Sequence, residues 1–206
     1  MKKFVNGWQI ISLALGILIG LCSFFVDDML HKLFVISIAG YFLHFFEEFG
    51  FPGGFPAMGM KVLMGSNERD STKWNCNNLN SMFGNRGFLI LIYILPLIFP
   101  NVKFLTLAAM LFIFAEFLMH LILFNVKLKK IYNPGMLTGV FGLTPIGVCY
   151  FSFVFERNFY AWSDYFIAVI WLAAVFWFSF RSPLYWGLGK KRGYELTRQS
   201  AFGLTM

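Results

Sequence analysis

Charged side chains are scarce in this chain: Asp, Glu, Lys and Arg make up 13% of its 206 residues, while 58% are hydrophobic. That balance excludes a water-soluble domain, which has no use for so much apolar surface, and points to the membrane class. Cysteine is nearly missing as well. Cys22, Cys76 and Cys149 form no C-x-x-C pair, which argues against a disulfide framework. Cys22 and Cys149 fall in apolar runs and are expected to be small buried hydrophobes. No H-E-x-x-H spacing occurs, so the zinc-protease signature is excluded. The first apolar run lacks an A-x-A-like end and is too long for a cleaved signal, so it reads as a retained helix and signal anchor. No internal repeat is convincing.

What is abundant is apolar length. Six runs, near 8–26, 29–50, 86–101, 103–124, 136–155 and 160–180, are suited to crossing about 30 Å of hydrocarbon. The expected fold is all-α: a polytopic membrane helical bundle of six transmembrane helices, forming a single transmembrane domain over 1–206. Three hairpins have short turns at one side. The other side carries the one long loop, 51–85, and a basic tail, 181–206. Glycines and prolines at 51–56 break any helix there, and stretch 56–65 is apolar enough to lie in the interface or dip into it. A loop of that length is usually functional or disordered. Pro96 and Pro145 are expected to kink their helices, with Thr144 able to satisfy a freed backbone group. Trp8, Trp162 and Trp186 fit interfacial belts.

The net charge of +7 does not imply nucleic acid. With a cytoplasmic N-terminus, 14 of the 17 basic residues fall on the inner side, leaving Lys32, Lys103 and Arg157 outside. This asymmetry is the positive-inside pattern, with both termini in the cytoplasm and the basic excess meeting anionic headgroups.

Against this background, two helices carry a histidine and carboxylates at helical spacing. His44, Glu47 and Glu48 lie at i, i+3 and i+4, and Glu116 and His120 at i and i+4, so each set shares one face. His44 lies about 12 Å above the Pro52 break and His120 about 10 Å above Lys127. Both are therefore expected at one depth on the cytoplasmic side. Ionisable groups at membrane depth are costly and mark function by default. Two imidazoles with three carboxylates suit a divalent metal: the facial triad of mononuclear iron, a two-ion carboxylate site, or zinc with one open position. A self-neutralising ion pair is the plain alternative, but three carboxylates against two histidines leave surplus negative charge that burial opposes.

Tyr132-Asn133-Pro134-Gly135 opens the fifth helix on the same side. Asn133 and Pro134 suit a helix start, and the turn can aim N–H groups and a tyrosine hydroxyl at the site. Asn75, Asn77, Asn78, Asn80 and Asn85 form a polar entry to the third helix. Asn85 is a candidate for contact with substrate or ligands, as are Asn133 and Gly135. His31, beside Asp27 and Asp28, and Asp164 lie near the outer surface and are discounted.

His44-x-x-Glu47-Glu48, the later His120 and Tyr132-x-Pro134-Gly135 together resemble the HXXEE family of integral membrane proteins, over about residues 10–155. The resemblance implies a bacterial inner-membrane protein suspected of being an enzyme, and supports the choice of residues. The expectation is a metal-dependent enzyme with Fe or Zn, one ion or two, held by His44, Glu47, Glu48, Glu116 and His120. Glu48 and Tyr132 are candidate catalytic groups. The substrate is expected to be a lipophilic or amphipathic small molecule, with oxidation preferred slightly over hydrolysis. Two other readings stand beside it: a metal-free glutamate-dependent intramembrane hydrolase, and a small ion or proton transporter. Membrane lipid is the expected partner; nucleic acid is not, and a protein partner is unknown.

Overall fold

The computed structural model describes residues 2–204 and is all-helical, with no strand among the described residues. A short helix α1 (Lys2–Asn6) precedes α2 (Trp8–Cys22), which tightens into a 3-10 turn through Phe25. Then follow α3 (Met29–Phe49), the short α4 (Phe55–Leu63), α5 (Asn78–Ile98), α6 (Lys103–Leu128) and α7 (Leu137–Glu156). The chain closes with α8 (Trp162–Arg181), α9 (Pro183–Gly189) and α10 (Arg198–Phe202). Six helices, built on α2, α3, α5, α6, α7 and α8, are long and apolar enough to cross a membrane.

The starts of these helices follow from local chemistry. The Asp28 carboxylate accepts the His31 amide at 2.8 Å and caps α3. Asp164 accepts the Ala161 amide at the start of α8. At α5, Asn77 and Asn80 cap one another reciprocally, so the helix starts at Asn78, eight residues before the apolar run near 86. Asn75 and Asn77 precede the helix, Asn77 as its cap, while Asn78, Asn80 and Asn85 lie in its first turns. Asn77 Nδ2 reaches the carbonyls of Leu188, Gly189 and Lys191, and Asn78 Nδ2 that of Glu195. The basic tail that begins at 181 is folded against the bundle. Asn6 Nδ2 donates to Gly193 O, and Gly54 N to Ser200 O. The N-terminus, α4, the 64–77 segment and the tail therefore meet at one end.

Helix α3 is the hub, packed by α2, α4, α5, α7 and α10, and it meets α6 through the Tyr41–Phe112 and His44–His120 ring contacts. Its neighbours fill the interior with aromatic pairs: Tyr41 on Tyr93 at 4.4 Å between ring centroids, and Phe88 on Phe112 at 4.3 Å. Between helices in lipid such close packing replaces water exclusion as the cohesive force. Trp8, expected at an interface, is instead fully buried against Phe45 and Phe49. Cys22 and Cys149, expected inside, lie exposed on the bundle's outer surface, where an apolar thiol suits hydrocarbon.

Three of the long helices contain wide, π-type turns: Ile90–Ile94 in α5, Leu118–Phe124 in α6 and Leu137–Leu143 in α7. Two of them precede the prolines at 96 and 145, and Thr144 Oγ1 donates to Gly139 O at 3.0 Å. The third contains His120 and has no proline; wide turns of this kind are frequent at functional sites.

Candidate metal centre

The structure brings His44 and Glu48 of α3 together with Glu116 and His120 of α6. The two imidazole rings meet edge to face at 5.0 Å. His44 Nε2 lies 3.5 Å from Glu48 Oε1 and 3.8 Å from Glu116 Oε2; His120 Nε2 lies 3.5 Å from each of the same two oxygens. All four side chains are buried, His120 completely. Their ring of alternating N and O atoms lies at ion-pair distance but is too open for charge-assisted hydrogen bonds, which close to about 2.7–2.9 Å. It fits a shared cation. Ligand atoms about 2.0–2.1 Å from a tetrahedral centre are spaced about 3.3–3.4 Å apart.

The hydrogen bonds behind the histidines show which ring nitrogen donates away from the carboxylates. Asn133 Nδ2 donates to two oxygens, His120 O and Asn125 Oδ1, each at 2.7 Å, which fixes the orientation of the amide. Its Oδ1 therefore faces His120 Nδ1 at 2.7 Å and must accept a proton from it. Around His44 the same logic runs through Thr138. The single hydroxyl proton of Thr138 goes to Glu47 Oε2 at 2.6 Å, so its oxygen accepts from His44 Nδ1 at 2.9 Å. Both histidines thus carry a proton on Nδ1 and turn Nε2 toward the carboxylates. His120 Nε2 is buried with no hydrogen-bond partner. With Glu47 turned away, two imidazoles face two carboxylates: neutral rings leave two negative charges for a divalent cation to balance, whereas protonated rings balance the carboxylates themselves. The donor set fits a divalent ion, and His44, Glu48 and His120 form a group able to hold one.

Glu47, grouped with these ligands on spacing alone, turns away from them. Its Oε1 accepts the Tyr132 hydroxyl and the Leu137 amide, both at 3.0 Å. Its Oε2 accepts the Thr138 amide at 2.8 Å in addition to the hydroxyl. It is an N-cap of α7 supplied by another helix, a negative charge on the positive end of the helix dipole. The physical reason is that i+3 and i+4 residues diverge around a helix, and the amides of α7 capture the first of the two. Asn133, expected to cap that helix, serves His120 instead. The Tyr132 hydroxyl reaches Glu47, not the cluster; burial, with the Glu47 carboxylate beside it, raises its pKa well above the ordinary value, so it stays a donor. Gly135 has φ +96, and a Cβ there would stand 2.8 Å from His44 Cε1 and 2.9 Å from His120 Nε2. Only glycine lets this turn approach both rings. Asn85 lines the adjoining cavity but bonds back to Ser81 O at 2.9 Å and does not touch the cluster. At the other end, His31 pairs with Asp28 on the exposed surface.

Sequence reasoning missed Thr138, Asn125 and Tyr41. Tyr41 had a readable signal, three residues before His44 on the same face; Thr138 sits in the first turn of the helix whose start already pointed at the site.

The fold and the buried His/Glu group define the class, a multi-pass helical membrane protein with a possible ion-holding centre between two of its spans. Within that class, the chain belongs to the family described as protein of unknown function with HXXEE motif, whose profile matches residues 35–150, the segment that holds every residue of the centre. No curated protein and no solved structure matches the chain.

Proposed function

We propose that the protein is a membrane-embedded, metal-dependent enzyme acting on a lipophilic or amphipathic small molecule, with oxidation preferred over hydrolysis. The observation that carries this reading is the pair of imidazole rings, each held by a partner on Nδ1 and each facing the same two carboxylates through Nε2. His44, Glu48 and His120 act as the holding set, and Glu116 flanks it as a fourth ligand or as a base. A divalent ion there supplies Lewis-acid polarisation and, where it is iron, redox chemistry. Two histidines with carboxylates suit iron, and the same set suits zinc.

The protein's own residues do the rest. Asn133 and Thr138 orient the imidazoles, as second partners of ligating histidines do. Glu47 and Tyr132 hold the start of α7 in place beneath them. Glu116 Oε2 takes up a proton from the substrate or a water and returns it. Phe55, 6.3 Å from the His120 ring, and Phe49 close the centre from below and keep water out. A cavity of about 180 Å³ reaches the centre along apolar walls, as a lipophilic substrate requires. Toward the opposite end the interior is filled by Ile38, Tyr93, Met110 and Ile113, all buried, which weighs against a transport path. We place the protein in the bacterial inner membrane with the centre toward the cytoplasm, following the charge asymmetry.

Titration of the stripped protein with Co(II) tests the reading. The wild type is expected to develop visible absorption at one equivalent, and His44→Ala and His120→Ala to develop none. Equal spectra in all three would remove the metal from the account.

A further inference from the structure

The cavity beside the centre has two chemically different ends. Tyr41, His44, Glu48 and Glu116 line one, and Arg181, the last residue of α8, lines the other. Between them stand rings such as Phe88, Phe112 and Phe180. The rim on the Arg181 side is formed by Leu63, Met64 and Phe176, which remain 37%, 41% and 36% exposed. Exposed apolar side chains on a membrane-spanning helix and the interfacial helix beside it open the cavity sideways, toward lipid.

The guanidinium at this rim is poorly matched. Among the described residues no carboxylate lies within ion-pair reach of Arg181, and its Nη1 rests on Met64 Sδ at 3.3 Å, a weak acceptor. Among the described residues it is the one Lys or Arg lining the cavity. At the far end the Tyr41 hydroxyl is 2% exposed as a residue and has no hydrogen-bond partner. The volume, about 180 Å³, is below the roughly 300–1,000 Å³ of drug-sized pockets and takes one narrow chain rather than a sterol or a paired tail.

We propose that this cavity binds a single-chain carboxylate amphiphile, a long-chain fatty acid in chemical class, which enters from the bilayer between α4 and α8. Arg181 holds the carboxylate at the rim and displaces Met64 as its partner. The chain runs inward past Phe88 and Phe112, so that a carbon remote from the head lies against Glu116 and the Tyr41 hydroxyl. One guanidinium matches one negative charge in a bidentate pair, and the narrow cavity takes a single-chain amphiphile rather than a two-tailed phospholipid. The inference deepens the enzyme reading and rests on it for the chemistry at the inner end, whereas binding itself needs no metal.

The test uses metal-free full-length protein in nanodiscs of zwitterionic lipid, with a fluorescent long-chain fatty acid, the matching neutral alcohol, and a diazirine-tailed fatty acid for crosslinking. The acid is expected to bind the wild type, with Arg181→Gln weakening it at least about tenfold and Arg181→Lys retaining part of the affinity. The alcohol is expected to bind the wild type as weakly as the acid binds Arg181→Gln, and crosslinks to fall on Phe112, Met119 or Phe180. Acetate at equal concentration should not compete, since a free soluble anion lacks the chain. Unchanged binding by Arg181→Gln, equal binding of acid and alcohol, or crosslinks confined to the outer surface would overturn the proposal. Each outcome is independent of metal content, so a failed metal reading and a failed ligand reading are told apart.

Discussion

A histidine that merely neutralises a buried glutamate has no need of a second partner, yet both histidines here are pinned from behind. Asn133 holds His120 through the ring nitrogen and the backbone carbonyl at once, and Thr138 holds His44 with a hydroxyl whose only proton is committed elsewhere. Such pinning orients a ligand and raises its basicity. Asn133→Ala should therefore lower metal affinity about 10- to 100-fold while leaving the helical fold intact, measured by competition with a chelator. An unchanged affinity would reduce Asn133 to a turn residue. Gly135 belongs to the same scale: its positive φ and missing side chain are what bring the α6–α7 turn onto both rings. The four residues of the cluster were legible from spacing and depth alone. The direction of Glu47 was not, because two adjacent carboxylates on one helix face differ in environment only once the neighbouring helix is placed.

Helix α7 starts without a cap of its own, and Glu47 of α3 provides one across the interface. It accepts two backbone amides and two hydroxyls, Tyr132 and Thr138, in a buried setting. Replacing it by glutamine removes the charge and sets an N–H₂ against donors. Glu47→Gln should destabilise the metal-free protein by about 2–3 kcal/mol, read from denaturant unfolding in detergent. A change within error would contradict the cap. Helix boundaries were legible where a cap was local, as at Asp28 of α3. They were illegible at α5, because Asn78–Asn85 has poor helix propensity and is held by carbonyls of the distant tail. The wide turn of α6 around His120 has no proline to announce it.

At the scale of the whole molecule, α1, α4, α10 and the loop before α5 share one end, and the His/Glu cluster lies against Phe55 of α4 beside it. Charge counting anticipated the common side, since lysine and arginine cluster there; the packing of the tail against α5 was not legible, because no local pattern links Asn77 to Gly189. In a cysteine-free background, Ser66→Cys and Lys191→Cys should react with an impermeant thiol reagent in inverted membrane vesicles, and Asp27→Cys in intact cells after outer-membrane permeabilisation. The reverse labelling would turn the molecule over. The account as a whole turns on whether these helices converge around an ion. Elemental analysis of protein purified from its membrane without added metal tests that most directly: the expected result is stoichiometric iron or zinc in the wild type and its loss in both His44→Ala and His120→Ala. Well-folded wild-type protein free of transition metal, and unable to take it up, would contradict it.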